Sequence, residues 1–209
     1  MKLKTQLQFY VVAVLILGFV ACKPKNNDIE ITKYFKDGVP SEHYFVLKSD
    51  STQKNGLYTR YYIDGKIAEK AHYKNGALDS IRTLFYDNGN IHIEEHYKMG
   101  KFDGPYKSYF MDGKLLQEGA YLNNQMHGLW KTYFQEEPHI LKEEITFENG
   151  IENGPFKEYF PDGKIDREGS FLNGYENGIV KMYDSTGAVV KVYEYLDSLT
   201  PPKVVRNPM

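Results

Sequence analysis

Gly104-Pro105-Tyr106-Lys107-Ser108-Tyr109-Phe110-Met111-Asp112-Gly113-Lys114-Leu115-Leu116-Gln117-Glu118-Gly119-Ala120-Tyr121 decides how this chain folds. Asp112-Gly113 separates two short runs rich in aromatic and aliphatic residues. An Asp-Gly pair in that setting predicts a two-residue type I′ turn, which needs positive φ at both central residues. The same pattern returns from Gly154 to Phe171, and weaker copies begin at Gly56, Ser80, Gly128 and Gly178. The starts are 24, 24, 24, 26 and 24 residues apart. A fixed period of this length marks a repeat array.

Counting the first residue of each copy as position 0, positions 8 and 9 carry the first turn: Asp64-Gly65, Asn88-Gly89, Asp112-Gly113, Asp162-Gly163 and Thr186-Gly187. The fourth copy replaces it with the longer Gln135–Ile140. Positions 19 and 20 carry a second turn: Asn75-Gly76, Met99-Gly100, Asn123-Asn124, Asn149-Gly150 and Asn173-Gly174. Two tight turns per copy mean two strands per copy, so the expected fold is all-β: an elongated, single-layer antiparallel meander of tandem hairpins. Tyr34-Phe35-Lys36-Asp37-Gly38 begins a degenerate first copy, with three extra residues expected in the polar run Lys48–Gln53. The array is expected over residues 31–195, with an irregular tail over 196–209, where three prolines argue against a central strand.

Register assigns faces. A two-residue first turn pairs position 6 with 11, 3 with 14 and 0 with 17. It sets Phe110 against Leu115, Phe160 against Ile165, Tyr62 against Ile67 and Tyr86 against Ile91. Position 17 is always aromatic and lies across from the start residue, which is Gly in five of six copies. A ring laid over a cross-strand glycine fills the space left there. With the bulky position 2 (Tyr58, Tyr106, Trp130, Phe156), this is the expected core face. The opposite face carries Lys107, Lys131, Lys157 and Lys181 at position 3, and Glu94, Glu118, Glu144 and Glu168 across from or beside them. Beside these charges, position 5 is aromatic in every copy: Tyr61, Phe85, Tyr109, Tyr133, Tyr159 and Tyr183. That stripe is the candidate protein-binding surface. The alternative is that curling or dimerisation partly buries both faces.

The totals narrow the function. The 209 residues carry 26 basic and 28 acidic side chains, a formal charge of −2. Such a balance gives no net pull toward nucleic acid or anionic lipid. The Tyr-heavy, Gly-rich composition suits strands. His92 and His96, four apart on a strand, stand roughly 13 Å from each other, too far to share a metal ion. The Asp and Asn residues sit where turns need them. No catalytic set, metal site or cofactor site stands out from the repeat pattern, so the expectation is a non-enzymatic protein with no cofactor. The N-terminus is read separately. Lys2 and Lys4 precede the apolar run Phe9–Ala21, and Cys22, the sole cysteine, follows it. The expected division is a signal peptide over 1–21, lipid attachment at Cys22 and a polar tether over 22–30. The alternatives are an uncleaved membrane anchor, or a signal peptide followed by a free thiol. A sole cysteine also excludes an internal disulfide framework.

The N-terminal pattern, with Ala21 before Cys22, resembles a bacterial lipoprotein signal; Phe19 departs from the usual aliphatic residue. The repeat unit, from Gly104-x-Tyr106-Lys107-x-Tyr109-Phe110 through Asp112-Gly113-Lys114-Leu115, Glu118-Gly119 and Tyr121, resembles the variant MORN repeat of bacteria, over roughly residues 31–195. Many such proteins are grouped with YwqK-family antitoxins. The resemblance implies an elongated, curved sheet and a non-enzymatic binding role. The expected function is a membrane-anchored scaffold of the cell envelope, facing the periplasm or cell surface, that binds another protein. The alternative is an antitoxin or immunity protein whose partner is a toxin. Membrane contact is expected through the lipid alone, with no nucleic-acid partner; the oligomeric state stays open.

Overall fold

A computed structural model describes residues 28–196 and 200–206. The expected signal peptide and the lipid-bearing Cys22 lie outside these residues. Among the described residues every element is a strand: β1 (Ile29–Tyr34), β2 (Pro40–Leu47), β3 (Asp50–Tyr61), β4 (Ile67–Lys74), β5 (Ala77–Phe85), β6 (Ile91–Lys98), β7 (Lys101–Tyr109), β8 (Leu115–Leu122), β9 (Gln125–Tyr133), β10 (Leu141–Glu148), β11 (Ile151–Tyr159), β12 (Ile165–Leu172), β13 (Tyr175–Tyr183), β14 (Val189–Tyr195) and β15 (Lys203–Arg206). They form one open antiparallel sheet in sequence order. Each strand meets the one before it and the one after it, as expected of a meander.

The two turns of each repeat differ in kind. At the second, both central residues have positive φ, as in Asn75 (50°) and Gly76 (82°), so it is the type I′ turn. The first turn corrects the expectation. Of the Asp-Gly pair only the glycine has positive φ, 89° at Gly113. The Gly113 N–H donates to the Phe110 carbonyl at 2.9 Å, and the Phe110 N–H donates to the Lys114 carbonyl at 2.8 Å. This is a three-residue loop with glycine in the left-handed region. The Asp112 carboxylate accepts from the Lys114 N–H at 3.1 Å, which is why Asp suits this place.

That loop shifts the pairing beside it. Tyr109, not Phe110, lies across from Leu115; likewise Tyr159 meets Ile165, Tyr61 meets Ile67 and Phe85 meets Ile91. Leu116 is the extra residue on the returning strand. Beyond it the expected register holds, with Lys107 across from Glu118 and Gly104 across from Tyr121. The bulge lets Leu115 and Glu118, three residues apart, share a face.

The ring face holds the core. Tyr58, Trp130, Phe156 and Val180, all at position 2, are buried. Trp130 packs 5.4 Å from Tyr106, 5.1 Å from Tyr121 and 6.3 Å from Phe147, by ring centroids. Its indole N–H donates to the Ala120 carbonyl at 3.2 Å. Such ring pairs each add about 0.5–1.5 kcal/mol beyond area burial. The closest ring-over-glycine contact is at Gly119: a Cβ there would lie 2.3 Å from the Trp130 ring. Start glycines are needed chiefly for backbone reasons: Gly104 has φ of 125° and lies in an irregularity against β6.

In the second repeat, position 2 is Arg82. Its guanidinium reaches Glu69 at 2.7 Å and Glu95 at 3.1 Å. Arg60 also holds Glu69, and the Tyr97 hydroxyl donates to Glu95 at 3.0 Å. Both carboxylates are buried. Hydrogen bonds and charge from Arg82 and Arg60 outweigh desolvation and hold the Glu69 carboxyl below its ordinary range.

The ends also depart from expectation. β1 begins at Ile29, inside the stretch assigned to the tether. The extra residues of the first repeat form an irregularity in β3 after a tight turn at Lys48-Ser49: Leu47 pairs with Asp50, and Val46 pairs with Lys54. The Asp50 carboxylate gathers the Thr52 N–H, the Thr52 hydroxyl and the Gln53 amide. The tail carries β15, a four-residue edge strand on β14. Pro201 and Pro202 precede the strand, and its pairing with β14 is irregular between Val192 and Tyr193.

Candidate functional site

The face opposite the rings presents three parallel rows, each running from strand to strand across the array. Their residues alternate with the core residues along each strand, so the inward half-buried Tyr106 and buried Ser108 set Pro105, Lys107 and Tyr109 outward.

The middle row is charged. From Glu94 on β6 the Cα partners run Lys107, Glu118, Lys131, Glu144, Lys157, Glu168 and Lys181 on β13. Sign alternates at every strand. Ion pairs form at 3.8 Å for Lys107–Glu118, 3.5 Å for Lys131–Glu144 and 3.4 Å for Lys181–Glu168. The pairs are partly exposed, and each contributes about 0–1 kcal/mol.

The second row is the tyrosine stripe. Each hydroxyl donates to the glutamate of the preceding repeat: Tyr109 to Glu94 (2.9 Å), Tyr133 to Glu118 (3.0 Å), Tyr159 to Glu144 (2.9 Å) and Tyr183 to Glu168 (2.7 Å). Burial, then the bond to the carboxylate, pushes these four hydroxyls up to about 12. Chiefly through its Tyr183 bond, the Glu168 carboxyl is held below its ordinary value. All six stripe residues, Tyr61 and Phe85 included, are half-buried. The stripe therefore stands between the two sequence alternatives, neither solvated freely nor sealed in a core. Aliphatic residues at position 11 share the row: Ile91, Leu115, Leu141 and Ile165 face Phe85, Tyr109, Tyr133 and Tyr159. In the fourth repeat His139, from the long loop, stacks on Tyr133 with ring centroids 5.6 Å apart.

The third row is apolar, and sequence reasoning missed it. Position 1 is Leu57, Ile81, Pro105, Leu129, Pro155 and Ile179. The two prolines are exposed, and the other four are 47–49 % exposed. The signal was present, since position 1 is apolar in all six copies. Across the hairpin, small residues face three of them: Ala120 opposite Pro105, Thr146 opposite Leu129 and Ser170 opposite Pro155. The surface dips around Ala120, between Pro105 and Leu129, and again around Ser170, between Pro155 and Ile179.

This is chemistry for contact. Rings held in place by carboxylates, flanked by charge on one side and aliphatic groups on both, supply rigid amphipathic area. The described His, Cys, Asp and Glu side chains do not gather in threes at ion-binding distance. His92 instead stacks on Tyr86 at 4.2 Å.

Four segments, 54–75, 78–99, 102–123 and 152–173, match the MORN repeat variant family. Each starts two residues before a repeat start and ends at the first residue of the type I′ turn. No curated protein matches the chain. The fourth repeat, with its long loop, falls between two matched segments. Four matched units within one sheet of recurring hairpins show that this chain carries MORN repeats.

Proposed function

We propose that the array is a non-enzymatic scaffold that binds another protein through its tyrosine face, held at a bacterial envelope membrane by lipid on Cys22. The observation carrying this reading is the row of tyrosines locked to glutamates. A ring already fixed by its hydroxyl loses little rotamer freedom on binding, so more of its contact energy is kept. Tyr is enriched at interface hot spots, and both its ring and its hydroxyl contribute. Neighbouring stripe rings stand two strand spacings apart, about 10 Å. That spacing suits an extended partner surface better than a small molecule. The anchor rests on the sequence alone: a short apolar run ending in Ala21-Cys22.

The test is a pull-down from detergent-solubilised envelope with the wild-type chain, with Tyr109→Ala/Tyr133→Ala, and with the loop variant Met111→Ala. Proteins held by wild type and Met111→Ala but lost by the tyrosine variant support the reading. Recovery of the same proteins by all three contradicts it. A toxin among the lost proteins would assign the antitoxin role. For the anchor, Cys22→Ser should shift the protein out of the detergent phase or stall its processing; unchanged processing and partitioning would refute lipidation.

A further inference from the structure

We propose that the tyrosine face pairs with the same face of a second copy of this chain, around a two-fold axis parallel to the strands and midway between β9 and β10. This deepens the protein-binding reading of that face and rests on it. The charged row motivates it. Signs alternate strand by strand from Glu94 to Lys181 across eight strands, and the midpoint of the row lies between Lys131 and Glu144. A partner of uniform charge meets a like charge at every second strand. The same row, rotated by half a turn about its own centre, meets an opposite charge at every strand. Lys131 faces Glu144, Lys157 faces Glu118, Lys107 faces Glu168 and Lys181 faces Glu94, each pair formed twice.

The rotation keeps height along the strand and exchanges odd strands with even ones, so the flanking rows are complementary too. Leu129 on β9 meets Thr146 on β10, Pro155 meets Ala120, and Pro105 meets Ser170: large residues over smaller ones, the two prolines at the dips in the surface. In the other row Tyr133 meets Leu141, Tyr159 meets Leu115 and Tyr109 meets Ile165, aromatic on aliphatic. One operator satisfies all three rows, as a self-complementary two-fold interface requires. Sheets packed face to face lie about 10 Å apart. Eight strand widths by five residues cover roughly 650 Å² per copy from strand spacing and rise. The total of roughly 1,300 Å² clears the ~1,000 Å² of a specific interface, at its weaker end.

The full chain in mild detergent should sediment as two copies in the micromolar range. A zero-length carbodiimide cross-linker should join Lys107 to Glu168 and Lys181 to Glu94. Within one chain these pairs lie five and seven strands apart, about 24 and 34 Å, so such links can only be intermolecular. Lys157→Glu should weaken the dimer at least ~10-fold by setting like charges face to face twice. Glu118→Lys/Lys157→Glu should restore it to within ~3-fold. Residues 118 and 157 stand on β8 and β11, which are not neighbours, so the rescue works only between copies. Circular dichroism checks that each variant is folded. A single-copy mass with links only between neighbouring strands would overturn the proposal, as would a folded double variant that dimerises no better than the single one. Loss of the dimer alongside a pull-down that still depends on Tyr109 and Tyr133 would leave the protein-binding reading standing and remove only the second copy.

Discussion

Gly119→Ala sets propensity against packing, and the two predict opposite signs. By propensity, alanine in place of glycine stabilises a strand by about 0.5–1 kcal/mol. Gly119 is not among the positive-φ glycines, so nothing in its backbone forbids a side chain. The added methyl would, however, lie 2.3, 2.4 and 2.7 Å from three atoms of the Trp130 indole. The ring must retreat by about 1 Å to regain ordinary contact. Trp130 is 3 % exposed, boxed by Tyr106, Tyr121 and Phe147, and tied to the Ala120 carbonyl. Overpacking of this kind costs about 1–3 kcal/mol, and losing the indole hydrogen bond adds about 1 kcal/mol. Net of the propensity gain, Gly119→Ala should therefore destabilise by about 1–3.5 kcal/mol, read by urea unfolding followed by far-UV circular dichroism. In a Trp130→Ala background the same change should cost less than about 0.5 kcal/mol, because the two residues are coupled. Equal or greater stability of the single variant would refute the packing argument.

Arg82→Ala strips both Glu69 and Glu95 of their shared partner and should destabilise by about 3 kcal/mol or more, measured by the same unfolding. Ser80 holds a φ of 93° without being glycine; Ser80→Gly should raise stability by about 0.5–1 kcal/mol, and a loss would contradict the strain assigned there. The hydroxyls of Tyr109, Tyr133, Tyr159 and Tyr183 are raised from 10.0 to about 12, so the folded chain keeps protons that the unfolded chain releases. Their stabilisation is complete below pH 10 and is lost as pH rises toward 12. A tyrosinate absorbance titration should show a late-ionising group that moves to the ordinary range on unfolding in urea.

The fold was legible because its signals repeat. Asn-Gly at fixed spacing placed the second turns, without their type, and the alternation of Tyr106, Lys107, Ser108 and Tyr109 gave the faces. What escaped detection was local. Asp112-Gly113 resembles a type I′ pair, but the Asp side chain, by capping the Lys114 N–H, serves a three-residue loop equally well. The resulting one-residue slip was invisible, since Phe110–Leu115 and Tyr109–Leu115 are both aromatic–aliphatic pairs. Arg82 breaks the ring pattern, and its meaning emerges only when Glu69 and Glu95 converge on it from β4 and β6. In the tail, prolines ended the strand signal, although Pro201 and Pro202 precede β15 and do not interrupt it. Of the binding face, the tyrosines and charges were readable, but their mutual bonds were not. Those bonds link residues 15 apart, through a side-chain reach that periodicity does not encode. Because of those bonds, Tyr109→Ala/Tyr133→Ala should cost about 1–2 kcal/mol of stability.

The most direct measurement of the account is the affinity of a partner recovered by the pull-down for wild type, Tyr109→Ala/Tyr133→Ala and Met111→Ala, all verified as folded at the temperature used. Binding through the tyrosine face predicts a loss of at least about 2 kcal/mol, roughly 30-fold, for the double variant. Met111→Ala, in an exposed turn, should bind as wild type does. Unchanged affinity in the folded double variant, with loss in Met111→Ala, would place the interaction on the turns and contradict the assignment of the face.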